Sequence, residues 1–246
     1  MLNLFSKKTF IADLFDGFVD IHNHLLPGLD DGAPDVDIAI QLIQELMQIG
    51  FGGSISTPHT MNEYYANTPL TINTAKEGLL KALQENDIHF KLSASSEYMM
   101  DGHFQDILKK GEILPLRDRY VLVEMSYLQP PINLDEIIFD ITSKEYIPVL
   151  AHPERYNYLH QDFSKYTDLK QRGCLFQLNM LALSDYYGSS TKKTAYKFIE
   201  DGYYDFIGSD VHHMRHINSL KNMKLTAKYV PAIEGLISKT RETFNP

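Results

Sequence analysis

Short apolar, β-branched runs alternate along the chain with longer segments whose apolar residues recur at helical spacing. The short runs predict about seven strands, at residues 18–22, 53–57, 90–94, 120–124, 147–151, 175–179 and 206–209. The longer segments predict helices at residues 36–49, 72–83, 134–142, 191–199 and 225–237. Regular alternation of strands and helices indicates parallel βα units, which a closed or nearly closed barrel accommodates better than an open sheet.

Length and composition indicate one globular domain over residues 1–246. A chain of 246 residues, 43% of them hydrophobic, can bury one substantial core, and single α/β barrels commonly reach this size. The formal net charge of −9 comes from 32 acidic and 23 basic residues that form no block of like charge. This charge pattern disfavours a nucleic-acid partner.

Cysteine use and hydropathy predict a cytoplasmic protein that is not embedded in a membrane. Cys174 is the only cysteine and therefore cannot form an internal disulfide. In residues 1–10 the lysines follow a very short apolar patch, whereas a signal peptide begins with charge and continues with a longer apolar run. Elsewhere no apolar stretch approaches the roughly 20 residues that span a bilayer.

Potential metal ligands follow almost every predicted strand, which is where a βα barrel places its active site. His22 and His24 are two positions apart on an extended segment, so both imidazoles point the same way. The full set of candidate ligands is His22, His24, Asp31, His59, Glu97, Glu124, His152, Asp210 and His212. A cluster of buried carboxylates needs cations to offset its charge. Imidazole and carboxylate donors without thiolates favour zinc, manganese or iron at a reactive site over a structural zinc site.

The motifs around these residues resemble those of the PHP (polymerase and histidinol phosphatase) superfamily. Within it they are similar to the bacterial manganese-dependent protein-tyrosine phosphatases of capsule and exopolysaccharide synthesis. The matching segments span nearly the whole chain: Asp20-Ile-His-Asn-His24, Gly28-Leu-Asp-Asp-Gly32, Thr57-Pro-His59, Glu97, Val123-Glu-Met-Ser126, Ala151-His-Pro-Glu-Arg-Tyr156 and Gly208-Ser-Asp-Val-His212. The resemblance implies a distorted (β/α)7 TIM-like barrel that holds three divalent metal ions, with Mn2+ as the expected metal and iron or zinc as alternatives.

The resemblance also implies a role for each candidate ligand. It divides them into three sets, one for each metal: His22, His24, Glu97 and Asp210; Glu97, Glu124 and His152; Asp31, His59 and His212. Glu97 bridges the first two metals. Arg155 corresponds to a phosphate-contacting arginine of the family. A second such arginine departs from the expected spacing, because Asp210 is followed by Val-His-His-Met-Arg215, and Arg215 is the nearest candidate.

The implied activity is hydrolysis of a phosphomonoester by metal-activated water. The expected substrate is a phosphotyrosine-bearing protein, in particular a tyrosine kinase of the polysaccharide-export machinery. Two alternatives remain open, namely a small-molecule phosphatase such as histidinol phosphatase and a non-catalytic metal-binding regulatory module. Residues 61–67 and 98–100, which contain tyrosine and methionine, are candidate walls for a substrate ring near the metals.

Two other hydrolase chemistries fit the sequence less well. Metal-dependent amidohydrolases also begin with His-x-His, but their bridging group is typically a modified lysine where this chain offers Glu124. A cysteine-based phosphatase needs an arginine six positions after its cysteine, whereas Met180 stands six positions after Cys174. Because Leu175 and Phe176 begin a predicted strand, we expect Cys174 to be a buried packing residue.

Overall fold

The computed structural model describes residues 8–245, so residues 1–7 of the segment compared with a signal peptide lie outside the described residues. The strands are β1 (Lys8–Phe10), β2 (Phe18–Asp20), β3 (Phe51–Ser56), β4 (His59–Thr60), β5 (Lys91–Ala94), β6 (Glu97–Met99), β7 (Tyr120–Glu124), β8 (Ile147–Ala151), β9 (Leu175–Asn179), β10 (Phe206–Gly208) and β11 (Lys224–Thr226). The helices are α1 (Val36–Gln48), α2 (Pro69–Glu85), α3 (Gly102–Lys110), α4 (Leu134–Ser143), α5 (Ser164–Gln171), α6 (Ser189–Glu200), α7 (Met214–Asn222) and α8 (Val230–Phe244). None of the helices within residues 8–245 has both the length and the hydropathy needed to cross a membrane.

Apart from the antiparallel pair of β1 and β11, the paired strands are parallel and follow one another around a distorted barrel. One sheet has the order β10-β9-β8-β7-β6-β4, and another has the order β2-β3-β5. β3 and β4 are the two halves of one kinked strand, and β5 and β6 are the halves of another. At the kinks the two strands remain joined, because the Ser95 N–H donates to the Ser56 carbonyl at 2.8 Å. At the other side, the Asp210 N–H donates to the His22 carbonyl at 2.7 Å and joins the ends of β10 and β2. The predicted α/β barrel is thereby confirmed.

Apolar side chains fill the barrel interior below the strand ends. Leu122 lies two residues before Glu124 in β7 and faces the same way, because side chains alternate along a strand. It belongs to a buried cluster with Ile21, Ile55 and Val149 from neighbouring strands. A larger core packs the helices onto the outside of the sheet. The polar strand ends therefore lie directly above close-packed apolar side chains.

A cap and two glycines shape the loops beside β2 and β10. The Asp35 carboxylate accepts the Ile38 N–H at 2.9 Å and begins α1, which ends the loop after β2. In that loop, a Cβ at Gly32 would lie 2.1 Å from the His24 carbonyl oxygen. A Cβ at Gly208 would lie 2.7 Å from the Cβ of His22. Both contacts are too close for any side chain, so glycine permits the backbone to approach the two histidines.

The predicted strands agree with the structure to within two residues, but one predicted helix begins too early. Of the segment 225–237, only the part from Val230 onward is α-helical, and Leu225 is buried in β11 beside β1. Pro231 in the first turn of α8 is typical of a helix start and marks the true boundary. The helices α3, α5 and α7 were missed because they have only nine, eight and nine residues, which is too short for a clear apolar period.

Candidate metal centre

The predicted ligands converge at the carboxyl ends of the barrel strands. Four overlapping groups of side chains that could hold a metal ion contain all the candidates: His24, Asp31, His59 and His212; His22, Glu97 and His152; His22, His24 and Asp210; His59, Glu97 and Glu124. Within each group the ligand atoms lie within 4.8 Å of one another. The groups form the base of a cavity of about 820 Å³ that opens to the surface.

His22 and His24 share two carboxylates. The Nε2 atom of His22 lies 3.2 Å from Glu97 Oε2 and 3.3 Å from Asp210 Oδ1. The Nε2 atom of His24 lies 3.6 Å and 3.4 Å from the same two oxygens. Two ligand atoms that are each bound at about 2.1 Å to one ion stand about 3 Å apart. The spacing therefore fits a cation between these four side chains.

Glu97 is the hub of the cluster. Its Oε1 atom lies 3.0 Å from His152 Nε2, and its Oε2 atom lies 3.1 Å from His59 Nδ1. The same His59 nitrogen is 2.9 Å from Glu124 Oε1. His59 thus stands beside Glu124 as well as beside the more exposed Asp31, whose Oδ1 atom is 3.6 Å from His59 Nε2. The ligand sets implied by the resemblance are therefore interleaved in space, with His59 between two of them.

Several ligand atoms of the cluster are buried without a hydrogen-bond partner among the described residues. They are His22 Nε2, His24 Nε2, His59 Nδ1, Glu97 Oε2, Glu124 Oε1 and His152 Nδ1. Buried polar atoms without partners are costly and rare in folded proteins. All of them except His152 Nδ1 face neighbouring metal-ligand atoms of the cluster at the distances given above. The chain's own residues therefore fit divalent cations, which would satisfy the first five of these atoms.

The electrostatics agree with this interpretation. Burial lowers the pKa of His22, but the carboxylates of Glu97 and Asp210 outweigh burial and raise it to about 9. Burial raises the pKa of Glu97, but the neighbouring imidazoles of His22 and His59 hold it well below its usual range. Anionic carboxylates packed among imidazoles form a centre that attracts cations.

Comparison with known proteins identifies the family of this chain. The family model described as "Capsular polysaccharide synthesis, CpsB/CapC" matches residues 18–233. The chain belongs to this family. It is 31% identical over 201 residues to the tyrosine-protein phosphatase YwqE of Bacillus subtilis (strain 168), a match that covers 81% of this chain and 79% of YwqE.

Solved structures support the same assignment. This CpsB/CapC protein is similar to a chain from the crystal structures of YwqE from Bacillus subtilis and CpsB from Streptococcus pneumoniae, which are described as unique metal-dependent tyrosine phosphatases. The TM-score is 0.76 and the identity 28%, and the match covers 90% of this chain and 95% of the other. The histidinol phosphate phosphatase of Lactococcus lactis shares the fold, with a TM-score of 0.50 and 13% identity over 82% of this chain and 90% of that one. The predicted resemblance is confirmed.

Residues outside the predicted set orient the histidines of this CpsB/CapC protein. Gln177 Oε1 lies 2.9 Å from His22 Nδ1, and Asp30 Oδ2 lies 2.7 Å from His24 Nδ1. Each contact uses the outer ring nitrogen and directs Nε2 into the cluster, as is common for metal-bound histidines. Neither residue was among the predicted site residues. Two features of the sequence could have indicated them: Gln177 is a polar residue within the buried strand β9, and Asp30 is a second aspartate beside Asp31.

The two predicted arginines occupy different environments. Arg155 follows β8, lines the cavity and donates from Nη1 to Asp210 Oδ2 at 2.8 Å. Arg215 is exposed in the first turn of α7 and is not among the described residues that line the cavity. Its phosphate contact therefore stays a prediction. In the same helix, His216 is buried and its Nδ1 accepts the N–H of His212 at 3.1 Å, which supports a candidate ligand.

Tyrosine and methionine side chains form part of the cavity wall. Met61, Tyr64 and Tyr65 line the cavity from the loop after β4. Of the predicted segment 98–100, only Met99 among the described residues lines it, whereas Tyr98 is in the core and its hydroxyl accepts the Leu114 N–H at 2.8 Å. The expectation that Tyr98 and Met100 form a wall was wrong, because side chains alternate along the strand and these two are buried in the core.

Cys174 is buried beside β9, and burial raises the pKa of its thiol to about 12. We expect the native protein not to react with a thiol reagent such as Ellman's reagent until it is unfolded, because the thiolate is the reactive form. Cys174→Ala is expected to keep turnover of an aryl phosphate within about twofold of the wild type at a stability cost of about 1 kcal/mol. Complete loss of turnover in a folded Cys174→Ala variant would instead indicate thiol chemistry.

Proposed function

We propose that this CpsB/CapC protein is a metal-dependent protein-tyrosine phosphatase that holds three divalent cations, with Mn2+ as the preferred metal over iron or zinc. The observation that carries the proposal is the convergence around Glu97 of buried ligand atoms that have no hydrogen-bond partner within residues 8–245, with Arg155 beside them at the base of an open cavity. The printed names of the relatives, which are tyrosine phosphatases, support the same activity.

The proposed ligand sets follow the resemblance and agree in part with the geometric groups. The first metal would be held by His22, His24, Glu97 and Asp210, the second by Glu97, Glu124 and His152, and the third by Asp31, His59 and His212. The close approach of His59 to Glu124 makes His59 a candidate ligand for the second metal, as an alternative to the third. His24 is likewise near the third set, since it belongs to the same geometric group.

The chain's own residues would bind and orient the phosphate. When bound, divalent cations at this centre supply Lewis-acid chemistry that activates water near neutral pH and offsets charge on the phosphoryl oxygens. Arg155 presents a planar guanidinium at the base of the cavity, and its remaining N–H groups can grip nonbridging oxygens. A phenolate leaving group, with a pKa near 10, needs less protonation than an alkoxide. Hydrolysis of an aryl phosphate therefore depends less on a general acid at this site.

The cavity wall supports phosphotyrosine as the substrate. Tyr65, Met61 and Met99 offer faces and edges against which a phenyl ring can pack above the metal centre. The proposed partner is a phosphotyrosine-bearing protein, in particular a bacterial tyrosine kinase of polysaccharide export, met in the cytoplasm. The family's link to capsular polysaccharide synthesis supports this choice.

A comparison of substrates tests the proposed function. With added Mn2+, we expect kcat/KM for a phosphotyrosine peptide to exceed that for histidinol phosphate by about a hundredfold, since a pocket discriminates through the contacts that it makes in the transition state. The same peptide with phosphoserine is the matched control and should be a poor substrate. A preference for histidinol phosphate would identify a small-molecule phosphatase. No turnover of any phosphomonoester with manganese, iron or zinc would identify a binding module.

A further inference from the structure

We propose that Tyr127 and Tyr187 are positioning residues that hold Arg155 between them as an aromatic clamp, and that this clamp aims the guanidinium at the phosphoryl group. The inference rests on the proposed function, because it assigns to Arg155 the grip on the phosphate. It goes beyond that function by naming the side chains that make the grip rigid.

The clamp is defined by ring contacts on the guanidinium. The Cζ atom of Arg155 lies 4.6 Å from the ring centroid of Tyr127 and 4.1 Å from that of Tyr187. Both distances are within the range of about 6 Å in which a cation is attracted to an aromatic face. Only 19% of the Arg155 side chain is exposed, so the attraction is little weakened by water.

The fold brings the three residues together from consecutive loops. Tyr127 follows β7, Arg155 follows β8, and Tyr187 lies after β9, and these strands are neighbours in one sheet. The middle loop therefore carries the cation, and the loops on either side carry the rings. All three residues line the cavity above the metal centre. The arrangement is a product of strand order, since more than 25 residues separate each of them from the next.

Each ring also makes a polar contact, and the contact of Tyr187 is to a residue that is not a candidate metal ligand. The Tyr187 hydroxyl accepts from Asn179 Nδ2 at 3.3 Å, and the same amide nitrogen donates to Asp210 Oδ2 at 2.8 Å. The Tyr127 hydroxyl lies 3.3 Å from His152 Nε2. With the Tyr187 ring held in this way, the guanidinium has one anchored edge, on Asp210, and the hydrogen bonds within residues 8–245 leave its other N–H groups free for a phosphate. A side chain that is already oriented loses less conformational entropy when the ligand binds.

The test is a double-mutant cycle between Tyr187 and Arg155, measured in the full-length, Mn2+-loaded protein. With p-nitrophenyl phosphate, we expect Tyr187→Leu to lower kcat/KM about tenfold, the loss of a desolvated cation–π contact. Tyr187→Phe keeps the ring and should stay within about twofold of the wild type. In the Arg155→Ala background, Tyr187→Leu should cost less than about twofold, because its effect is transmitted through the arginine. Elemental analysis should show the same metal content in every variant.

A matched substitution and a binding measurement complete the test. Tyr229→Leu, at a tyrosine beside α8 that does not line the cavity, should leave kcat/KM unchanged. Equal losses from Tyr187→Leu in both backgrounds, or a Phe variant as poor as the Leu variant, would overturn the clamp. Tyr127→Leu, measured in both backgrounds, decides the question if Tyr187→Leu does not fold.

The same cycle in the dissociation constant for inorganic phosphate, measured by calorimetry, separates the clamp from the proposed function. If the wild type hydrolyses no aryl phosphate, the proposed function fails, and coupling between Tyr187 and Arg155 in phosphate binding still supports the clamp. A wild type that neither hydrolyses an aryl phosphate nor binds inorganic phosphate overturns both.

Discussion

Glu97→Gln is expected to lower kcat/KM for an aryl phosphate by about a thousandfold while the protein stays folded. Glu97 lies within 3.6 Å of ligand nitrogens from four histidines, so its charge acts on the whole centre. Glutamine keeps the shape of the side chain but removes that charge. Charge stabilisation by a metal centre is worth several kcal/mol, and about 4 kcal/mol corresponds to a thousandfold in rate. Steady-state turnover in added Mn2+, together with metal content by elemental analysis, measures the effect.

Glu234→Gln is the matched control for this variant. Glu234 is exposed on α8, and its substitution should change neither turnover nor metal content. Circular dichroism and a thermal melt of Glu97→Gln distinguish a lost ligand from a lost fold. Turnover of a folded Glu97→Gln variant within tenfold of the wild type would contradict the place of Glu97 among the metal ligands.

Chelation is expected to abolish turnover and to lower the melting temperature by about 5–10 °C. A ligand present at a hundred times its dissociation constant stabilises the native state by about 2.7 kcal/mol, and 1 kcal/mol shifts the melting temperature of a domain of this size by about 2–4 °C. Without the cations, the buried carboxylates of Glu97, Glu124 and Asp210 lose their compensating charge. Differential scanning calorimetry before and after EDTA, and after restoration of Mn2+, measures the shift.

Proton release provides an independent measure of metal binding. After chelation, the carboxylates around His22 keep its pKa at about 9, so near pH 7.5 the imidazole carries a proton that a cation must displace. The enthalpy of Mn2+ binding should therefore vary with the ionisation enthalpy of the buffer. Apparent affinity should also rise with pH up to about 9. Undiminished turnover in protein shown by elemental analysis to be free of metal would rule out the metal-dependent mechanism.

Much of the fold was predictable because strand and helix periods are local properties. The strands β7, β8 and β9 were predicted with the bounds that the structure shows, since each is a short, buried apolar run between polar segments. The kinks that divide β3 from β4 and β5 from β6 were not predictable. They place His59 and Glu97 at the start of new, shifted strand segments, and this shift depends on how the neighbouring strands pair.

The candidate ligands were also predictable, since residue type and position after a strand can both be read locally. What could not be read was which ligand stands beside which. His59 lies next to Glu124 as well as next to Asp31, and Arg215 is exposed although its sequence position suggested the cavity. Both results depend on loop paths that no local pattern specifies.

The amino-acid sequence by itself determined the α/β class, the strand ends and the kind of ligand that each strand end carries. Only the tertiary structure decided that Gln177 and Asp30 orient the histidines and that Tyr127 and Tyr187 enclose Arg155. The physical reason is the range of the forces involved. Periodicity and side-chain chemistry act within a few residues, whereas these contacts, apart from that of Asp30, join side chains that only parallel strand pairing and core packing bring together.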